Sequence, residues 1–376
     1  MRVVPPLDLA AEHQSLREAL DAAYVRVRDS GQFVGGDEVA LFEREVAEAL
    51  GVAYAVGLSS GTDALLLALR IAEVGPGDEV ITTAFSFFAT SETVLQLGAT
   101  PVFVDCAPGS FLLDVDAVAR AITPRTKAIV PVHLYGEVVS MAPLMELAEA
   151  YGLMVIEDAA QAIGATSIEA DLHGRRRMAG GLGHMGAFSF YPTKNIGALG
   201  DAGMLTTDDP EMAARARRLR NHGGEQRYQH LEVGYNARLD AFQAAFLRAK
   251  LPYLQKWTEQ RRERAETYDQ LLAPLRALRR PNLSVGHAFH QYTIRVPDER
   301  NKIIAALSER GIGSMIYYPH TLERYGGRVF GDLTHAHQAC AEVISLPIYP
   351  SLNQEAQQWV SDALHEALME VRGSIH

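Results

Sequence analysis

Three features of this chain could do chemistry together. They are a lysine just past a strand break, a carboxylate at the end of an apolar run, and a small-residue turn that opens a helix. The lysine is Lys194, in the stretch Gly186–Asn195. Ala187, Phe188 and Phe190 read as a buried strand over Ala187–Tyr191 that breaks at Pro192. A lysine held near apolar walls has its ammonium form disfavoured and can serve as a neutral amine. A neutral amine condenses with an aldehyde to a Schiff base, and the usual aldehyde in proteins is pyridoxal phosphate. Taken alone, Lys194 reads as a surface lysine in a loop, so the other parts of such a site must be found.

The carboxylate is Asp158. Leu153–Ile156 is a run of four apolar residues, a centrally buried strand, and it ends in Glu157-Asp158-Ala159-Ala160-Gln161. In open α/β sheets ligands gather at the carboxyl ends of strands. A carboxylate buried there needs a partner, and a pyridinium N–H is one. Asp158 would keep a cofactor nitrogen protonated, and Gln161 could bond the ring hydroxyl. The plain alternative is an aspartate that caps the next helix.

The turn is Ser59-Ser60-Gly61-Thr62-Asp63, followed by the helical run Ala64–Ala72. A helix start offers free N–H groups and a positive dipole end to a phosphate. Gly61 permits close backbone approach, and the Thr62 and Ser189 hydroxyls could donate. Ordinary capping by Thr62 or Asp63 is the competing account. Within Ala84–Ala89, Phe87 could wall a flat ring, although core packing is the commoner fate of such residues.

The elements that must carry these groups alternate strand and helix. Strands are expected at Ala53–Gly57, Glu79–Thr83, Pro101–Asp105, Thr126–Pro131, Leu153–Ile156 and Met204–Thr207. Helices are expected at Leu9–Arg28, Glu38–Leu50, Thr90–Leu97, Asp114–Ile122, Met141–Tyr151 and Pro210–Arg220. This is an α/β domain with a largely parallel sheet, expected over residues 1–250. A polar loop over Asn221–Gly234 leads to a long helical region from Ala241 to Leu275, interrupted near Pro252. Residues 251–376 then read as a smaller α+β domain, with strands at Phe289–Val296 and Ser314–Tyr318. Its helices are expected at Glu299–Arg310, His335–Ile344 and Glu355–Val371.

Composition narrows the class. The 376 residues are 48% hydrophobic and 22% charged, ordinary for a globular protein. A net charge of -11 argues against a general nucleic-acid binder. Arginines at 175–177, 217–220 and 261–264 read mostly as solvated faces. Cys106 and Cys340 form no disulfide framework, which suggests a reducing, cytoplasmic compartment. No membrane span or signal peptide is expected. His335, His337 and Cys340 read as helix-surface residues, and no metal is expected. Gly181-x-Gly183-x-x-Gly186 matches a dinucleotide fingerprint, but it follows a loop and precedes a strand, so it is rejected.

Taken together these parts resemble the DegT/StrS family of pyridoxal-phosphate-dependent sugar aminotransferases. The resemblance runs from Phe33-Val-Gly-Gly36 to Leu346-Pro347. Its most specific blocks are Ser60-Gly-Thr-Asp63, Pro131-Val-His-Leu-Tyr-Gly136, Glu157-Asp-Ala-Ala-Gln161, Ser189-Phe-Tyr-Pro-Thr-Lys194-Asn and Asn236-x-Arg-Leu-Asp240. It implies an aspartate-aminotransferase-type fold and a homodimer with shared active sites. It implies Lys194 as the covalent and proton-moving residue, Asp158 on the ring nitrogen and Gln161 on the ring oxygen. Phe87 would stack on the ring. Gly61, Thr62 and Ser189 would hold the phosphate, with Asn236 reaching in from the partner subunit. Glutamate would give an amino group to a keto-sugar linked to a nucleotide diphosphate. Related dehydratases carry histidine at the lysine position, and this chain keeps lysine. Tyr191, Arg227, Tyr317 and Tyr318 are candidates for the sugar or diphosphate. Tyr317-Tyr318-Pro319 stands where the family often has His-Tyr-Pro, which leaves the sugar open. A keto-inositol aminotransferase and a non-catalytic regulator of the same fold are the alternatives.

Overall fold

The computed structural model describes residues 3–167, 176–226, 228–297 and 299–373. Apolar five-residue runs supply most of the strands. They are β1 (Tyr54–Leu58), β2 (Glu79–Thr83), β3 (Thr100–Val104), β4 (Thr126–Val130), β5 (Met154–Asp158), β6 (Met185–Ser189) and β7 (Gly203–Thr207). Later come β8 (Gly224–Gln226), β9 (Gln229–His230), β10 (Tyr292–Arg295), β11 (Arg328–Val329) and β12 (Val343–Leu346). The main sheet has the order β1-β7-β6-β5-β4-β2-β3-β11. Only β7 runs against its neighbours there; the other pairings are parallel. Every residue of β2 and β7 is buried, as expected for a sheet covered on both faces.

The early helices are α1 (Leu9–Ser15), α2 (Arg17–Ser30), α3 (Asp37–Leu50), α4 (Gly61–Ile71), α5 (Ala89–Gln96), α6 (Val115–Ala121) and α7 (Met141–Tyr151). They are followed by α8 (Pro210–Leu219), α9 (Ala241–Lys250), α10 (Leu254–Leu272), α11 (Arg300–Glu309), α12 (Thr334–Glu342) and α13 (Gln354–Gly373). Glycines stop several of them. Gly31, Gly51 and Gly152 take the left-handed conformation just past α2, α3 and α7, where a side chain would be strained. One apolar cluster joins α4 and α8 to the sheet through Leu65, Ala68, Ala216 and Leu219. Another, with Phe42, Val46, Phe188 and Phe190, lies under α2, α3 and α9.

Beyond α9, a second core forms around α10, β10, β12, α11 and α13. Two pieces of chain cross between the bodies. Val4 pairs with Ile312 and belongs to the second core, and β11 joins the main sheet beside β3. Arg328 on β11 bonds Glu79 of β2 at 3.1 Å.

The structure corrects several sequence expectations. The helix at Leu9–Arg28 is two helices, broken where Leu16 leaves helical geometry and sits buried in the core. The stretch Asn221–Gly234 holds the β8–β9 hairpin rather than only loop. Ser314–Tyr318 is no strand: Met315 alone pairs, with Ser345, before the chain turns into the cleft wall. The helix expected to Ile344 ends at Glu342, because β-branched Val343 and Ile344 pair with β10 instead. Cys340 is buried rather than on the surface. Arg261 is also buried; its guanidinium donates to the carbonyls of Phe289 and Ile348.

Candidate active site

The carboxyl ends of β1, β2, β4, β5 and β6 open on one side of the sheet, and a cleft of about 660 Å³ lies there. Gly61, Thr62, Phe87, Asp158, Gln161, Ser189, Tyr191, Lys194, Tyr317 and Tyr318 all line it. A parallel sheet with α/β crossovers brings such strand ends together, which explains how blocks far apart in sequence converge.

Lys194 sits in a tight loop after β6. Its N–H donates to Tyr191 O at 2.8 Å. The lysine keeps some contact with the open cleft, but the surrounding protein is dense enough that burial lowers its pKa to about 8, against the pull of Asp158. The adjacent Asn195 is a buried bolt. Its Nδ2 donates to Ala288 O at 3.1 Å, so its Oδ1 is left to accept from His290 Nδ1 at 3.2 Å. The lysine loop is thereby tied to the segment that leads into β10.

Asp158 ends β5 at the floor of the cleft. Its Oδ2 accepts from the Thr90 hydroxyl at 2.8 Å, and its Oδ1 from the Ala160 N–H at 3.2 Å. Burial raises its proton affinity, and the Thr90 bond, the Ala160 N–H, Lys194 and His133 oppose that rise. Glu157, one residue earlier, points to the other face of the strand and is wholly buried. It accepts from the N–H groups of Gly180, Leu182 and Gly183 at 2.6–2.7 Å and pairs with His133 Nε2 at 2.8 Å. The glycine pattern rejected as a dinucleotide fingerprint thus serves to wrap backbone around this carboxylate.

At the other end of the cleft, α4 begins at Gly61. Ser60 caps it by accepting from Asp63 N at 3.0 Å, while the N–H groups of the first turn have no partner within the helix. A Cβ on Gly61 would stand 2.7 Å from Ser189 Cβ, so only glycine lets this turn meet β6. Gln161 is fixed by two bonds: its Oε1 accepts from Tyr135 N at 2.7 Å and its Nε2 donates to the Tyr318 hydroxyl at 2.9 Å. Tyr135 O also accepts from His290 N at 2.8 Å, so one residue orients both cleft walls. Phe87 is 56% exposed and its ring is 5.9 Å from that of Tyr318, leaving a flat face free.

Asn236 does not line this cleft. It is exposed, on the antiparallel bridge with Asn221. Arg227 lies outside the described residues. The cleft also contains residues to which the sequence reading gave no role: Ser60, Ser86, Thr193, Asp201, His290 and Gln291. Ser86 and Thr90 bracket Phe87 and Phe88 in sequence, but hydroxyls are common and their spacing alone marks no site. His290 and Gln291 sit at the mouth of a strand, where no pattern marked them.

A pyridoxal phosphate fits these residues. The cleft offers an anion cradle of small residues at a helix start, an exposed aromatic face, a buried carboxylate and a lysine that sheds its proton easily. The aminotransferase family model described as DegT/DnrJ/EryC1/StrS matches residues 14–365. The chain belongs to this family. It is accordingly a pyridoxal-phosphate-dependent transaminase, with the aspartate-aminotransferase type of fold.

Over 372 residues it is 44% identical to a protein of Geobacillus stearothermophilus named a pleiotropic regulatory protein, covering 96% of this chain and 98% of that one. It is 43% identical to the UDP-N-acetyl-3-dehydro-alpha-D-glucosamine 3-aminotransferase of Acidithiobacillus ferrooxidans, covering 97% and 98%. Among solved structures, DesV of S. venezuelae in complex with a ketimine intermediate superposes with a TM-score of 0.92 at 41% identity, over 97% of this chain and 98% of that one.

Proposed function

We propose that this family member transfers an amino group from glutamate to a keto-sugar carried on a nucleoside diphosphate, at the third carbon of the sugar. The observation that carries the transfer is the convergence of Lys194, Asp158 and the Gly61 turn in one cleft. The sugar class is supported by the 3-aminotransferase relative, which matches along nearly the whole of both chains.

Bound pyridoxal phosphate would supply an electron sink and carry the amino group between the two substrates. The chain's own residues do the rest. Lys194 Nζ, neutral in a useful fraction, takes and returns the proton of the substrate carbon that bears nitrogen. Asp158 accepts from the ring nitrogen, and Gln161 donates toward the ring oxygen. Gly61, Thr62 and Ser189 hold the phosphate, and Phe87 covers the ring face. Tyr191, Tyr317, Tyr318 and Arg227 meet the sugar or its diphosphate. The chain works as a homodimer, in which Asn236 reaches the phosphate of the partner's site. Its exposure and its absence from the lining of this chain's own cleft support that role.

The test uses purified holoenzyme with glutamate, then a UDP- or dTDP-linked 3-keto-sugar, with the amino sugar read by mass spectrometry. Amination of a keto-inositol with no turnover of any nucleotide sugar would replace this reading by the cyclitol one. The relative named as a regulatory protein favours a second reading, a regulator. If Lys194→Ala retained the full cellular role, that second reading would stand.

A further inference from the structure

Asp158 does not face its ligand alone. Its Oδ2 accepts from Thr90 at 2.8 Å, and the Thr90 oxygen lies 3.1 Å from that of Ser86. Chemistry fixes the direction of both bonds. An ionised carboxylate only accepts, so the single Thr90 proton goes to Asp158. The Thr90 oxygen then has only lone pairs to offer, and the Ser86 proton goes to it. Ser86, which lines the cleft, turns its proton inward and shows the cleft an acceptor.

Ordinary buried threonines on helices satisfy their hydroxyls locally. Thr93 does so, donating to Ala89 O at 3.0 Å. Thr90, one turn earlier on α5, sends its proton across to Asp158 at the end of β5 instead. Ser86 and Thr90 are 2% and 1% exposed, so bulk water replaces neither link.

We propose that Ser86 and Thr90 are positioning residues that keep the proton on the ring nitrogen of the bound cofactor rather than on Asp158. The inference rests on the pairing of Asp158 with that nitrogen, set out above. A carboxylate that already holds a strong donor pulls less on a second, shared proton. Burial pushes Asp158 the opposite way, and Thr90 is the largest influence that offsets it. Lys194, His133, the Ala160 N–H and the Tyr318 phenol also surround the carboxylate. The Ser86 hydroxyl behind Thr90 polarises the first bond further.

The experiment loads the holoenzyme with pyridoxal phosphate labelled with nitrogen-15 in the ring and reads the nitrogen chemical shift. Wild type should give a pyridinium shift. Thr90→Val, which keeps the shape and removes the donor, should move it toward neutral pyridine. Thr90→Ser should restore it, and Ser86→Ala should move it the same way by less. A Thr90→Val shift equal to wild type would overturn the relay. If Thr90→Val does not fold, the Ser86→Ala shift decides in the same terms. Asp158→Asn separates the two layers: an unchanged shift there removes the pairing beneath the relay, while a changed shift with an inert Thr90→Val removes only the relay.

Discussion

At the scale of single residues, the lysine behaves as its surroundings dictate. Only the neutral amine condenses with an aldehyde, and burial brings Lys194 down to about 8 from 10.5. The rate at which apoprotein takes up pyridoxal phosphate should therefore climb with pH and level off above about 8. An unperturbed lysine would keep climbing for some two further units. Stopped-flow absorbance across that range tells the two apart. Asp158→Asn should cut turnover by about two to three orders of magnitude, because a charge partner in a dry site is lost. Its thermal midpoint should stay within a few degrees of wild type, since shape and the Thr90 contact survive. Parallel losses of activity and stability would make Asp158 structural. Lys194 and Asp158 stood out in the sequence because few side chains offer a condensable amine or a buried carboxylate, and the structure places both in the cleft. Thr90 and Ser86 did not, since hydroxyls are common and only the folded geometry aims them.

At the scale of elements, Glu157 is the informative case. Its partners are backbone N–H groups of Gly180, Leu182 and Gly183, and backbone donors leave no side-chain signature to read. Glu157→Gln swaps one acceptor for an N–H₂ that must face these donors or His133. The expected cost is about 2–3 kcal/mol, seen as a drop of several degrees in thermal midpoint, with a smaller change in the affinity for pyridoxal phosphate. An unchanged midpoint would show that the turn holds without its carboxylate. The parallel strands up to β6 were legible as apolar runs bounded by turns, whereas the short edge strand β11 was not. Where the reading slipped, tertiary pairing had overridden a local pattern. Val343 and Ile344 continue the spacing of α12 but gain more as β12. Arg261 looks solvated in a charged helix, yet it spans to two carbonyls inside the second core.

At the scale of the whole molecule, the proposed dimer makes a sharp prediction. Lys194→Ala and Asn236→Ala proteins should each be inactive alone. Mixed and reassembled, half of the dimers would be hybrids, each with one site that has both residues. Activity should return to about a quarter of wild type. No recovery, with hybrid formation verified by mass, would mean that Asn236 serves its own chain. In the single chain Asn236 is an exposed residue bridged to Asn221, so the proposed role is tested only in the assembly.

The pairing of Val4 with Ile312 bears on how this protein comes off the ribosome. Val4 is 2% exposed, and its neighbours in the second core come from residues 265 to 368. The Val4 segment therefore waits for a stretch some three hundred residues later in the chain before it can dock. The parallel sheet can assemble earlier, around strands already emerged, while the Val4 segment stays unpaired. Fusing a bulky, fast-folding partner ahead of Val4 should slow the final step of maturation more than the same fusion placed behind α13.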